Sequence, residues 1–267
     1  MSQPSTEPAN EDVVYFNQIL KAGVDAGCSD VHIKVGTPAS YRISRAFHSI
    51  DFVPTQAWMQ SVIDGICPKH MKAGLEADRE TDFSYSAPGV GRFRTNVFQA
   101  LGRWCIVMRY IKSTVPTFEK LGLPEVLKTV AESPRGIVLM AGTTGSGKST
   151  TLAAMLEHLN NNFRKHIVTL EDPIEFVFEE NQCLIEQREL NLDTMSFHRA
   201  MKSALREDPD VIMVGEMRDA ISFQTSISAA DTGHTVISTM HTTSANSSVG
   251  RILEYFKQDE QIGRAHV

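Results

Sequence analysis

Apolar positions along the chain change rhythm near residue 112. Val13, Phe16, Ile19, Leu20 and Val24 recur at helical spacing, with Asp12 placed to cap the helix and Gly27 to stop it. Val31, Ile33 and Val35 then alternate as a strand would, with Tyr41 to Ile43 as its expected partner. Thr55 to about Ala77 is helical again, with a break expected at Cys67-Pro68. Phe83 and Tyr85 alternate with polar residues before a turn at Pro88-Gly89 and Gly91. Two further strands follow, one carrying Phe93, Thr95 and Val97 on one face, the other Trp104, Ile106, Met108 and Tyr110. Residues 13–111 therefore read as a small α+β domain with a mostly antiparallel sheet.

The stretch 112–124 contains Pro116, Gly122 and Pro124 and is the expected linker. Beyond it, short apolar runs alternate with helical stretches: Ile137 to Met140, Ile167 to Leu170, Val211 to Val214 and Thr235 to Ser238. Buried runs separated by helices predict a parallel sheet, so 125–261 reads as an α/β domain. Residues 1–12 are polar, carry Pro4 and Pro8, and are expected to be a disordered tail.

Composition narrows the function classes. The chain has 267 residues, 42% hydrophobic and 22% charged, with a net charge of −6, so it can bury a core but lacks the basic footprint of a general nucleic-acid binder. Its four cysteines, Cys28, Cys67, Cys105 and Cys183, form no C-x-x-C pair, which argues against a zinc or redox motif. No apolar run approaches the ~18 residues of a membrane span, and no signal peptide is visible. The expectation is a cytoplasmic protein that reaches any membrane machine through other proteins.

The chemistry begins at Gly142-Thr143-Thr144-Gly145-Ser146-Gly147-Lys148-Ser149, which matches G-x-x-x-x-G-K-[ST] between an apolar strand and a helical pattern. Glycines let consecutive backbone N–H groups curl inward around phosphate oxygens, and the helix that starts there adds its positive dipole end. Lys148 is expected to bridge the β- and γ-phosphates of ATP. The Ser149 hydroxyl is expected on Mg²⁺ and Thr150 near the α-phosphate.

Such a site also needs carboxylates at strand ends. Val211 to Val214 runs into Gly215-Glu216, which places Glu216 for a catalytic or metal-linked role, and Leu170 runs into Glu171-Asp172-Pro173-Ile174-Glu175. Glu175 is the expected general base, whereas Asp172 reads equally as part of a solvated turn. His234 and His241 bracket the last apolar strand. As a pair they are placed to sense a γ-phosphate, and as lone strand-end histidines they are structural; the residues alone leave both open.

Beyond the P-loop, several stretches between about Ala22 and Phe256 resemble one family. They are Gly27 to His32, Gly91-Arg92-Phe93-Arg94, Pro134-Arg135-Gly136, Glu171 to Phe176, Ala204 to Asp210, Gly215-Glu216-Met217-Arg218-Asp219, Thr232-Gly233-His234 and His241 to Ala245. They resemble the type II/IV secretion and pilus ATPases, and within them the PilT-like branch of type IV pilus retraction (twitching motility). The resemblance implies a homohexameric ring of subunits, each with a PAS-like N-terminal domain before a RecA-like ATPase domain with a parallel sheet. It places Glu171 and Glu175 in an acidic box, Glu216 as the Walker B acid, and His234 and His241 in a histidine box. Arg92, Arg94 and Arg109 match arginines that complete the nucleotide pocket, although as strand residues they read equally as exposed surface charge. An inner-membrane pilus platform protein is the implied partner. A pilus-extension or type II secretion assembly ATPase is the alternative, and a nucleotide-binding regulator that does not hydrolyse is less favoured because Glu175 and Glu216 are both present.

Two departures from the family pattern stand out. Arg42-Ile43-Ser44-Arg45-Ala46 occupies a hairpin where a Gly-containing turn is usual. The sequence also stops short of the family's length, so the ATPase domain is expected to be incomplete. Residues 262–267 are expected to be an artefactual tail, since they read like a translated sequencing adapter.

Overall fold

The computed structural model describes residues 10–256, and the chain divides into two compact units, Met1–Lys112 and Ser113–Val267. Most of the expected N-terminal tail and all of the expected artefactual stretch 262–267 lie outside the described residues.

The first unit opens with α1 (Glu11–Asp25). Its cap is Asn10, whose side chain accepts from the amide of Asp12, so helix begins inside the stretch expected to be a tail and Asp12 lies in its first turn. Strands β1 (Asp30–Lys34), β2 (Thr37–Ile43) and β3 (Ala46–Ser49) follow. Then come α2 (Gln56–Ile66), capped by Thr55, a 3₁₀ turn at Lys69–Met71, and α3 (Lys72–Asp78). Strands β4 (Glu80–Ala87), β5 (Gly91–Ala100) and β6 (Arg103–Ile111) complete an antiparallel sheet in the order β3-β2-β1-β6-β5-β4. Val31, Ile33, Phe93, Val97, Ile106 and Met108 are buried from one face of this sheet among Phe16, Leu20, Met59 and Ile63 of α1 and α2. Each such side chain contributes about 1.5–3 kcal/mol on leaving water.

The turn that lacks the usual glycine closes without one. Ser44 and Arg45 join β2 to β3 at φ 49° and 71°, the left-handed pair that a two-residue hairpin needs.

In the second unit, α4 (Phe118–Leu121) lies within the segment expected to be a linker, and Phe118 is buried in the second unit's core. It is followed by α5 (Val126–Ala131), β7 (Gly136–Gly142), α6 (Lys148–Asn162), β8 (His166–Glu171) and β9 (Leu184–Glu189). Then come α7 (Phe197–Ala204), β10 (Val211–Val214), α8 (Ala220–Asp231), β11 (Thr235–His241) and α9 (Ala245–Glu254). The sheet is fully parallel in the order β7-β11-β10-β8-β9, with Leu152, Met155, Leu156 and Leu159 of α6 buried beneath it. This is the α/β architecture expected. Strand β9, with the pattern Leu-Ile-Glu-Gln-Arg-Glu at one edge, is an addition that the apolar runs did not announce.

Candidate functional site

Parallel pairing brings four strand ends to one edge of the second sheet. Gly142, at the end of β7, is the register partner of His241 at the end of β11, and Val214 of β10 pairs with both Leu170 of β8 and Ser238 of β11. The chain therefore enters the P-loop, the acidic turn, the Glu216 turn and the His241 turn at the same level, where open α/β sheets bind ligands. A cleft of about 430 Å³ lies there, lined among others by Lys148, Ser149, Glu171, Glu175, Glu216 and His241.

The P-loop takes its shape from glycine. Gly147 immediately precedes α6 with φ 93°, a left-handed value that side-chain-bearing residues rarely adopt. Lys148 opens α6, and its Nζ donates to the carbonyls of Gly142 and Thr143, at 2.9 Å each, so the cation sits across the loop it is expected to serve. Thr144, Gly145, Ser149 and Thr150 also line the cleft, and Thr143 and Ser146 lie on the exposed part of the same loop. The first amides of α6 face this loop with the positive end of the helix dipole.

Glu216 follows β10 by a turn tied to its neighbours. The amide of Gly215 donates to the Leu170 carbonyl at 2.8 Å, and the Thr239 hydroxyl donates to the Gly215 carbonyl at 2.6 Å. A Cβ on Gly215 would stand 3.4 Å from the Leu170 oxygen, in ordinary van der Waals contact with the neighbouring strand end. The Glu216 carboxylate accepts from Arg218 Nε at 2.8 Å, and its other oxygen lies 3.6 Å from His241 Nε2. Arg218 also reaches Asp172 at 3.5 Å, and the Glu216 hydrogen bond is the main reason its guanidinium pKa is raised. His241 Nδ1 lies 3.5 Å from the Thr144 hydroxyl, so one imidazole touches both the P-loop and Glu216.

The acidic turn holds one buried carboxylate, Glu171, and two exposed ones, Asp172 and Glu175. Glu171 is buried and accepts from the Thr169 hydroxyl at 2.7 Å, from Gln187 Nε2 at 3.1 Å and from the amide of Glu175 at 3.2 Å. Burial pushes its carboxyl pKa up, partly opposed by these hydrogen bonds. Glu175 is exposed and lines the cleft.

His234 does not join this site. It precedes β11, its carbonyl accepts from Gly136 at the start of β7, and its Nδ1 is bonded to the Ala229 carbonyl at 2.9 Å. His241 is the last residue of the seven-residue β11 and His234 immediately precedes it, so the pair expected to act together sits roughly 20 Å apart at opposite ends of one strand. Arg92, Arg94 and Arg109 belong to the first unit, where Arg94 and Arg109 are cross-strand partners and Arg92 shares their face. Arg109 pairs with Asp30 at 3.0 Å.

Two residues without an expected role also bear on the site. Arg218, inside a recognised motif, lines the cleft, and Gln187, on the unannounced edge strand, donates to Glu171 from beside it. The available signal for the latter was the alternation Ile185, Gln187, Glu189, which puts two polar side chains on one strand face.

The type II/IV secretion system protein family matches residues 80–265. The type IV pilus retraction ATPase PilT of Pseudomonas aeruginosa is 45% identical over 92% of this chain and 72% of its own length. A twitching motility protein of Neisseria gonorrhoeae is 47% identical over 75% of this chain, and the match spans about half (54%) of that protein. Among solved structures, the pilus retraction motor PilT with bound ADP superposes with a TM-score of 0.84 at 40% identity, covering 92% of this chain and 72% of that one. With a P-loop, two strand-end carboxylates and a histidine meeting in one cleft, and with these matches along most of its length, the chain belongs to the type II/IV secretion system protein family.

Proposed function

We propose that this protein is an ATP-hydrolysing subunit of a hexameric motor that drives type IV pilus retraction. The observation that carries the reading is the meeting of Lys148, Glu175, Glu216 and His241 in one cleft, in a chain similar along 92% of its length to a pilus retraction ATPase.

In this reading the amides of Gly145 to Ser149 and the Lys148 ammonium bind the phosphates of ATP, and Thr150 stands beside them. The Ser149 hydroxyl and Glu216 carboxylate are hard oxygen donors lining the same cleft, which is the chemistry Mg²⁺ takes, and these two residues would hold it. Bound there, Mg²⁺ supplies charge neutralisation on the phosphate oxygens. Glu175 orients water in line with the γ-phosphate and accepts its proton as the new P–O bond forms and the bond to the β–γ bridging oxygen breaks. His241, in reach of both Thr144 and Glu216, reports the state of the γ-phosphate to the Glu216 turn. Arg92, Arg94 and Arg109 are proposed to add positive charge to a nucleotide pocket of the assembled motor, which docks on an inner-membrane platform protein from the cytoplasmic side. Among the described residues no helix is long and apolar enough to cross a membrane.

Restoring motility tests this reading. The full-length gene should restore twitching to a bacterium lacking its own retraction ATPase, and its Glu175→Gln version should not. A wild-type gene that hydrolyses ATP as a hexamer yet restores only pilus assembly or secretion would establish the alternative, an assembly ATPase.

A further inference from the structure

The turn that carries Glu175 is irregular backbone, yet it is fixed at three consecutive residues. The amide of Ile174 donates to Oε2 of Glu189 at 3.2 Å, and the amide of Glu175 donates to Oε2 of Glu171 at 3.2 Å. The carbonyl of Phe176 accepts from Nε2 of Gln187 at 2.8 Å. Gln187 also accepts from the amide of Phe178 at 2.9 Å, so its one side-chain amide binds the turn in both directions. Gln187 and Glu189 are alternate residues of β9, and their side chains leave the same face of that edge strand. Glu189 and Ile174 are both buried.

This is an unusual way to secure a loop. Surface turns normally leave such groups to water. Here two carboxylates, Glu171 and Glu189, are withdrawn from solvent to hold the turn, and for Glu171 the hydrogen bonds offset the cost of burial only in part. What the arrangement does supply is direction. Backbone held on both sides of Glu175 fixes its Cα–Cβ vector, while the carboxylate itself stays exposed to the cleft.

We propose that Gln187 and Glu189 are positioning residues for Glu175: from the edge strand they clamp the backbone on either side of it and aim its carboxylate at the attacking water. The proposal rests on Glu175 being the general base. It predicts a loss in the chemical step with substrate binding intact, since misplacing a reacting group by about 1 Å can cost ~100-fold in rate.

The test uses the full-length protein with Gln187→Met, Glu189→Met and Glu189→Gln, alone and in a Glu175→Gln background, and measures single-turnover ATP hydrolysis, KM, fluorescent ADP affinity and thermal midpoint. Gln187→Met and Glu189→Met are expected to lower the hydrolysis rate about 10- to 100-fold with ADP affinity within about threefold of wild type. Glu189→Gln keeps an oxygen acceptor for the Ile174 amide and is expected to recover most of the rate. In the Glu175→Gln background Gln187→Met should add no further loss, because its effect runs through Glu175. Wild-type turnover in Gln187→Met, or a loss that multiplies that of Glu175→Gln, overturns the inference alone. Wild-type turnover in Glu175→Gln overturns the base assignment and the inference with it. If Gln187→Met does not fold, the Glu189→Met and Glu189→Gln pair decides: equal activity in the two contradicts the clamp.

Discussion

His241 Nε2 lies 3.6 Å from Glu216 Oε1, and this pair joins the ends of two neighbouring parallel strands across the mouth of the cleft. The other ring nitrogen faces Thr144 of the P-loop. A side chain placed between the phosphate loop and the carboxylate proposed to hold Mg²⁺ is expected to act on turnover more than on ground-state binding. His241→Ala is therefore expected to lower kcat about 10- to 100-fold while ADP affinity stays within about threefold. The comparison is His234→Ala, which should leave both within about twofold because His234 sits at the other end of β11. Equal losses in the two variants would contradict this placement.

Lys148 places its ammonium on the Gly142 and Thr143 carbonyls, inside the loop. Removing that cation leaves the loop amides in place but takes away a charge-assisted bond worth about 1.5–3 kcal/mol, or roughly 10- to 150-fold in Kd. Titration of a fluorescent ATP analogue against Lys148→Ala checks this, and unchanged affinity would refute the phosphate role.

Glu171 predicts a pH dependence of stability. Burial holds its carboxyl pKa above the ordinary value, so the folded state binds this proton more tightly than the unfolded chain does. The favourable contribution is complete below the unfolded-state pKa and is lost as pH rises through the folded-state pKa. Glu171→Gln cannot ionise, so its urea midpoint relative to wild type should move in the variant's favour between pH 4 and pH 8. A shift in the opposite direction would show that hydrogen bonds from Thr169, Gln187 and the Glu175 amide outweigh desolvation.

The β2–β3 turn offers a stabilising change. Ser44 and Arg45 hold left-handed backbone, which costs side-chain-bearing residues roughly 1–2 kcal/mol each. Both are exposed, so Asn-Gly in their place should raise the stability of the first unit by about 1 kcal/mol. Thermal unfolding of the double variant measures it, and a lower midpoint would contradict the turn geometry.

The fold and the phosphate loop were legible because each rests on a local rule. Fixed glycine and lysine positions between an apolar run and a helix identify the loop at Gly142 to Ser149, and Leu152, Met155, Leu156 and Leu159 mark the buried face of α6. Less local features were not. Residues 118–121 lie among Pro and Gly and read as linker, yet burial of Phe118 holds them as a helix. Asn10 and Asp12 are both good caps, and only tertiary contact chooses; Asn10 also bonds Ser61 of α2. His234 and His241 look alike in sequence, and only strand direction separates them. Strand β9 carries Glu, Gln and Arg where apolar residues were sought: at this sheet edge Gln187 and Glu189 bind backbone of the acidic turn, and Arg188 pairs with Glu207.

The central claim is that the cleft hydrolyses ATP with Glu175 as base, and single-turnover hydrolysis by full-length Glu175→Gln beside wild type tests it most directly. The account predicts ATP affinity within about threefold of wild type and a hydrolysis rate lower by at least ~100-fold. Hydrolysis at the wild-type rate with the same bound ATP would contradict it.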